Sequence, residues 1–232
     1  MWLLALDTSG RAASVAVFDD DRVTALVTTP GGDEQHSVRL FREIECALQQ
    51  VKLRLSDIDV YAVANGPGAF TALRIGLTAV KSLAEMHGKP VVAVSVLEAV
   101  CQHARADGLL VPVVDAYRGQ VFGGLYEKKG SEIVARGPER VLRLKEFLAA
   151  VCRDAADARA ATLISPTLVR LEPELAGSPL AGIRREAVPS VLAEVVGRRA
   201  RAKLPRGEIS DAVHLDANYV RRSDAELLWK PK

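Results

Sequence analysis

The sequence predicts an α/β protein built from two related parts, each opening as a meander of three strands. The first sign is a strand that ends on an aspartate and is followed at once by two more. Residues 3–6 run into Asp7-Thr8-Ser9-Gly10, 13–18 alternate into a second strand, and the polar turn Asp19-Asp20-Asp21 leads to a third at 23–28. The second sign is that the pattern begins again. Residues 110–114 end on Asp115, turn at Arg118-Gly119, resume over 121–126, and pass Lys128-Lys129-Gly130 to a strand near Ile133. A constant offset of 108 lays Asp7 on Asp115, Val17 on Leu125 and Phe18 on Tyr126. The third is length: 232 residues make roughly one and a half domains of ~150.

The other elements follow in order. Leu40, Ile44, Leu48 and Val51 recur at helical spacing and predict a helix over 37–52, after the break Pro30-Gly31-Gly32. Ser56-Asp57 leads into a strand at 58–64, which Gly66-Pro67-Gly68 stops. A helix over 71–87 closes on Gly88 and Pro90, residues 91–94 form a strand, and Ser95 caps a helix to about 106. A boundary near Asp107 then separates an N-terminal domain, 1–107, from a smaller one, 108–232. The second holds a helix over 144–152, a short strand at 162–164 and a helix over about 190–201. Loops are expected at Gly177-Ser178-Pro179 and Pro205-Arg206-Gly207, and residues 218–222 read as a last strand or a tail.

Composition excludes several classes. Lys plus Arg number 31 against 29 Asp plus Glu, a formal charge of +2 that argues against an acidic tail, a disordered chain or a general nucleic-acid coat. The three cysteines, Cys46, Cys101 and Cys152, form no Cys-x-x-Cys pair, so neither a disulfide framework nor a zinc knuckle is expected. The N-terminus lacks a basic leader and reaches Asp7 after six residues. No apolar run approaches the ~18 residues of a membrane span. A reducing, cytoplasmic setting is expected.

Chemistry concentrates in a few places. The loop Gly66-Pro67-Gly68-Ala69-Phe70-Thr71, between a strand and a helix, can aim backbone N–H groups at an anion. It lacks the Gly-Lys-Ser/Thr of a Walker loop, and its plain alternative is a tight turn with Thr71 as N-cap. Asp7, Thr8, Ser9 and Asp115 stand at strand ends, where a carboxylate either meets a metal-bound phosphate or caps a turn. The helix behind the loop confines Arg74, Thr78, Lys81, Ser82 and Glu85 to one stripe. Nearly all the rest is apolar, including Leu73, Leu77, Val80 and Ala84. A surface helix needs an apolar arc of only ~100°. This one is therefore expected to be covered twice, by its sheet and by a neighbouring helix or another protein. Leu40, Ile44 and Leu48 offer the matching seam, so the two helices should share an exposed apolar patch. His36, His87, His103 and His214 form neither His-x-x-x-His nor His-Glu-x-x-His, and no Ser-His-Asp set stands out. The run Arg198, Arg199, Arg201, Lys203, Arg206 contains no acid; it reads as a solvated helix end or as an RNA contact.

Several stretches closely resemble the TsaB family, formerly called YeaZ. They are Leu4-Ala5-Leu6-Asp7-Thr8-Ser9, the glycine loop with Leu73-Arg74-Ile75-Gly76, Asp115-Ala116 with Arg118, and Tyr219-Val220-Arg221 with Ala225-Glu226. The resemblance runs along the whole chain and is strongest over the first 125 residues. It implies two tandem actin-like (ribonuclease H-like) domains, each with a mixed central sheet. It also implies a subunit without catalytic residues of its own, bound through its two N-terminal helices to a TsaD-like enzyme. With a TsaE-like protein, that assembly transfers a threonylcarbamoyl group to the tRNA adenosine 3′ of the anticodon. The donor, threonylcarbamoyl-adenylate, is made separately from threonine, bicarbonate and ATP. Further implications are a homodimer when alone, contact with tRNA through the complex, no membrane, no tightly held cofactor, and ATP with Mg²⁺ allowed in the complex. TsaD-like enzymes hold a metal with His-x-x-x-His, whereas His36 here is followed by Ser37-Val38-Arg39-Leu40. The family commonly carries Ser at Ala69, Gly at Ala72 and Arg at Tyr117; the missing hydroxyl at Ala69 weakens the case for tight ATP binding.

A competing reading is an autonomous ATPase or phosphotransferase with Asp7 and Asp115 around Mg²⁺ and the glycine loop, Gly66 and Gly68 with Thr71, near phosphate. A metallopeptidase is the weakest reading, because the histidine spacing denies it ligands.

Overall fold

Continuous apolar strands dominate both halves, and a strand apolar on both faces must be covered on both. The computed structural model describes residues 1–29 and 36–221; the break at Pro30-Gly31-Gly32, Arg222 and the Ala225-Glu226 pair lie outside the described residues. In the first half come β1 (Trp2–Asp7), β2 (Ala13–Asp19), β3 (Arg22–Thr29), α1 (His36–Gln50), β4 (Val60–Gly66), α2 (Phe70–His87), β5 (Val91–Ser95) and α3 (Val96–Gln102). Their sheet has the order β3-β2-β1-β4-β5, antiparallel through the meander and parallel from β1 onward.

The second half repeats this order. It comprises β6 (Gly108–Asp115), β7 (Val121–Gly123), β8 (Tyr126–Lys129), β9 (Glu132–Ala135), β10 (Arg140–Leu142), α4 (Leu144–Asp154), β11 (Thr162–Ser165), α5 (Leu168–Leu175), β12 (Arg184–Ala187) and α6 (Ala193–Lys203). The path β10-β7-β6-β11-β12 mirrors the first sheet, and the expected fold class, two mixed sheets each opened by a meander, is the one found. β7 and β8 pair with β6 in one register, interrupted opposite Pro112, which accepts from the Gly124 N–H and has no N–H to return. β10, α5 and β12 escape the sequence pattern. β12 reads Arg-Arg-Glu-Ala with no apolar period, and α5 is short with Pro173 inside it.

The repeat is real, but its offset is not constant. Leu3 and Phe18 face the middle of the molecule in the first half, as Leu110 and Tyr126 do in the second. Phe18 thus matches Tyr126 at an offset of 108, while its partner Leu3 matches Leu110 at 107. The second connection is one residue longer, since Asp7 pairs with Ser14 whereas Val114, at the offset of 107, pairs with Phe122. Asp7 therefore overlays Val114, and Asp115 belongs to the opposite face of its sheet.

Helices fill three layers. α1 and α2 cover the outer face of the first sheet, and α4 and α5 that of the second. α3 and α6 lie between the sheets in a core shared by both halves. Ser95 caps α3 as predicted, accepting from the N–H groups of Leu97 and Glu98; the helix ends at Gln102, short of 106. α6 crosses to the first sheet, where the Ala193 N–H donates to Ser14 Oγ at 3.1 Å. No helix among the described residues is long and apolar enough to cross a membrane.

The middle layer also holds a buried charge. Arg199, 1% exposed on α6, donates through Nε and Nη2 to Glu98 Oε1 on α3 (3.0 and 2.7 Å), and through Nη1 to the Ser131 carbonyl (2.6 Å). Lys203 Nζ lies 3.0 Å from Glu98 Oε2. Removing one partner strands the other in an apolar core. Arg199→Ala should cost about 3–5 kcal/mol in urea unfolding, and Glu98→Leu with Arg199→Met should recover most of that. A single alanine costing under about 1 kcal/mol would contradict this role.

Candidate functional site

The site grows from the Asp7-Thr8-Ser9 turn and the glycine loop, which are packed into each other. The Ser9 N–H donates to Asp7 Oδ1 (2.9 Å), closing a local turn on a carboxylate only 1% exposed. Thr8 Oγ1 donates to the Ala72 carbonyl (2.7 Å), and the Ala69 N–H donates to the Ser9 carbonyl (3.0 Å). Two glycines make the approach feasible. A Cβ on Gly68 would sit 2.6 Å from the Ser9 carbonyl oxygen, and one on Gly76 would sit 2.4 Å from Thr8 Oγ1. Gly66 adopts φ 118°, and a Cβ there would meet the Asn218 carbonyl oxygen at 2.7 Å. The N-cap of α2 is Ala69, without a side-chain bond, so Thr71 lies inside the first turn instead of capping it.

On the facing half, Tyr117, Arg118 and Gly119 take consecutive left-handed conformations (φ 58°, 57° and 72°). The Tyr117 N–H donates to Asp115 Oδ1 (2.8 Å), and Asp115 Oδ2 lies 3.5 Å from Arg170 Nη1. Two concavities meet at the glycine loop. A cleft of about 660 Å³ between the halves is lined by Ser9, Arg11, Gly68, Asp115 and Arg170, among others. A groove of about 560 Å³ is lined by Phe70, Leu73, Tyr117, Arg118, Tyr219 and Arg221. Pro67, Gly68, Ala69 and Tyr117 belong to both. Of the predicted phosphate-proximal residues, Ser9, Gly68 and Asp115 line the cleft and Thr71 the groove. Asp7 and Thr8 are buried behind Ser9, and Gly66 faces the C-terminal segment.

Sequence reasoning missed that C-terminal segment. After α6 and Gly207, Ser210 bridges the edge of β5 by exchanging hydrogen bonds with Val91. The chain then runs as a strap along α2, burying Leu215 with half-buried Ala212 and Ala217 beside it. It ends on Asn218, whose N–H donates to the Asn65 carbonyl and whose side chain donates to Glu139 Oε2 (2.7 and 2.6 Å). Glu139 also accepts from the Ser95 and Tyr126 hydroxyls. Burial, and then the charge of Glu139, pushes the Tyr126 phenol far upward, so it remains a donor.

The strap corrects the expected interface. Leu40, Ile44, Leu48, Leu73, Leu77, Val80 and Ala84 are all buried, facing the sheet, each other or the strap, and form no exposed patch. The second cover over α2 is this chain's own C-terminal segment. The outer faces of the two helices carry Phe41 and Cys46 on α1 and Arg74, Thr78, Ser82, Glu85 and Met86 on α2. The apolar excess of α2 was the available signal, but sequence does not say whose atoms supply the cover.

The basic run is also corrected. Arg199 is buried on Glu98, and the others meet acids from elsewhere: Arg198 with Glu194, Arg201 with Asp21, Lys203 with Glu98, and Arg206 with Glu132 and Glu208. The run is therefore paired with acids along its length, and Arg199 is withdrawn from solvent altogether. Among the described residues, no three His, Cys, Asp or Glu side chains are grouped as metal ligands. Burial pushes the Cys101 thiol well up, which keeps it from acting as a thiolate.

Two sheets of one strand order on a shared helical layer, the first with its aspartate turn locked against a glycine loop, define an α/β protein of the actin-like class. The family model described as TsaD, tRNA N6-adenosine threonylcarbamoyltransferase, matches residues 27–176. The tRNA threonylcarbamoyladenosine biosynthesis protein TsaB of Bacillus subtilis (strain 168) is 36% identical over 149 residues, 64% of this chain and 65% of that one. TsaB of Escherichia coli (strain K12) is 33% identical over 132 residues, 55% and 56% of the two chains. The matches therefore span less than two thirds of these relatives' own length. The solved structure of YeaZ from Pseudomonas aeruginosa superimposes with a TM-score of 0.78 at 30% identity, over 94% of this chain and 99% of that one. The chain belongs to the TsaB (YeaZ) family.

The contact between the two turns is directly testable. Gly76→Ala should destabilise the fold by roughly 1–3 kcal/mol through overpacking on Thr8. Adding Thr8→Ala should recover part of that loss in a double-mutant cycle followed by thermal unfolding; purely additive losses would show that the two residues do not press on each other.

Proposed function

We propose that this chain is a cytoplasmic, non-catalytic subunit that docks on a TsaD-type protein, with a TsaE-type protein, in transferring a threonylcarbamoyl group to tRNA adenosine. It meets tRNA within that complex and pairs with itself when alone. The observation that supports this best is the closed packing of Asp7, Thr8 and Ser9 against the glycine loop. A phosphotransferase of this fold would aim the strand-end aspartate at a metal-bound phosphate. Here Asp7 is buried, with Oδ1 accepting from Ser9, and Thr8 is spent on α2. Asp115 is engaged by Arg170 and the Tyr117 N–H. These residues do not fit a Mg²⁺–phosphate site, so ATP and Mg²⁺ act, where they act, in the assembled complex.

The docking surface on this reading is the outer face of α1 and α2, where Phe41 is exposed and Met86 is 72% exposed. Phe41→Glu combined with Met86→Glu should abolish co-purification with the TsaD-type partner and the tRNA modification while leaving the isolated chain folded. Leu77→Glu should simply unfold it. A folded double variant that still supports modification in a reconstituted reaction would sink the proposal.

The cleft between the halves is large enough to keep the autonomous ATPase as a second reading. Calorimetry of the isolated chain with Mg-ATP should show neither micromolar binding nor turnover. Finding both would favour the ATPase.

A further inference from the structure

We infer that the groove between the glycine loop, the Tyr117-Arg118 turn and the end of the strap is a binding site for unpaired nucleotides of an RNA. Four of the chain's eleven aromatic residues, Phe70, Tyr117, Phe122 and Tyr219, line this one groove. Phe70, Tyr117 and Tyr219 remain 37%, 42% and 42% exposed. Three distant parts of the chain supply them, so the cluster is a product of the fold and not of local composition.

Arginines are interleaved with these rings. The Arg74 guanidinium lies 3.9 Å from the Phe70 centroid, and its Nε donates to the Tyr219 hydroxyl (3.1 Å). The Phe70 and Tyr219 rings stand 5.0 Å apart at 32°. Arg221 sits 5.7 Å over the Phe122 ring and donates to the Gln120 side-chain carbonyl. Arg118 lines the same wall. Among the described residues, the partners of Arg74 and Arg221 are the neutral Phe70, Tyr219, Phe122 and Gln120, which orient each guanidinium. The α6 run is the opposite case, where each cation meets a carboxylate. Of the acids near the groove, Asp115 is paired with Arg170, while Glu139 keeps its charge and accepts from Asn218, Ser95 and Tyr126.

Aromatic faces beside guanidinium groups are the chemistry of single-strand recognition, in which bases stack on rings and phosphates meet arginines. Tyr117 and Arg118 are held at positive φ, a conformation costly for side-chain-bearing residues and one that concentrates at binding sites. Naming RNA as the strand rests on the tRNA role proposed above; the stacking and charge do not.

The test uses the full chain and a fluorescent RNA hairpin with an unpaired loop. A fully paired RNA duplex, AMP and a polyglutamate peptide serve as comparisons, titrated at low and moderate salt. The hairpin should bind at least tenfold more tightly than the three others. Arg118→Asn, Arg221→Gln and Tyr117→Asn should each weaken it about tenfold, asparagine being chosen because it accepts positive φ. Each arginine lost should lower the slope of log affinity against log salt by about 0.7. Arg198→Gln on α6 should change nothing, and thermal melts identify any variant that fails to fold. Equal binding of duplex or polyglutamate, AMP binding as well as the hairpin, or folded variants with undiminished affinity would each overturn the inference. Co-purification of the same variants with the TsaD-type partner separates the two proposals. Loss of RNA binding with docking intact confirms the groove's role, whereas a wild-type chain that binds RNA but never docks removes only the proposed complex.

Discussion

Much of the structure depends on one buried cation. Arg199 stands where α3, α6 and the β8–β9 turn converge, and a guanidinium without solvent must have its donors met there. Glu98 supplies the charge and Ser131 a carbonyl, each from a different element, so satisfying Arg199 fixes α6 relative to both sheets. The consequences run outward. With α6 set, the chain emerges at Gly207 beside the edge of β5, where Ser210 pairs with Val91 and the strap can begin. Fixing the sheets also places Ser9 and Gly68 opposite Asp115 and Arg170 across the cleft. Such a pair stabilises little by itself, since desolvation offsets most of its attraction; its effect is to exclude other arrangements of the layers.

The strap shows where sequence reading reaches its limit. The strands other than β10 and β12, the helices α1 to α4 and the Ser95 cap were legible because periodicity and capping are local properties. The apolar excess of α2 was legible too, but its meaning was not. A helix covered by its own chain from residues 211–219 and a helix covered by another protein have the same composition. Leu215 carries no local pattern, being one leucine in a polar stretch. The repeat failed in a similar way: apolar alternation fixed which face each residue takes, while a connection one residue longer shifted Asp115 out of correspondence with Asp7.

Charge reverses between sequence and structure for the same reason. Five cations within nine residues look like a patch, yet the fold brings Asp21, Glu98 and Glu132 to them, and Glu194 and Glu208 flank the run in sequence. Arg118 and Arg221 are far apart along the chain and look like nothing, yet they line one groove, with Arg74 stacked on its Phe70. Opposite charges are drawn together from any distance in sequence, so local density says little about surface potential. Only the partners do.

The glycine loop joins these results. Its close contacts, and that of α2 behind it, are made to protein: Gly66 to the strap, Gly68 to Ser9, and Gly76 of α2 to Thr8. A loop that cradled phosphate would instead hold its backbone open toward the ligand. Yet Gly68 and Ala69 line both the cleft and the groove, and the Ala69 N–H is bonded to the Ser9 carbonyl on the same wall of the cleft. Anything seated in the groove therefore presses on backbone that also borders the cleft. Packing this close deforms little, so a shift at Ala69 is transmitted to Ser9 more readily than it is absorbed. The loop's glycines are thus better understood as the means of joining two surfaces rigidly than as the remnant of one binding site.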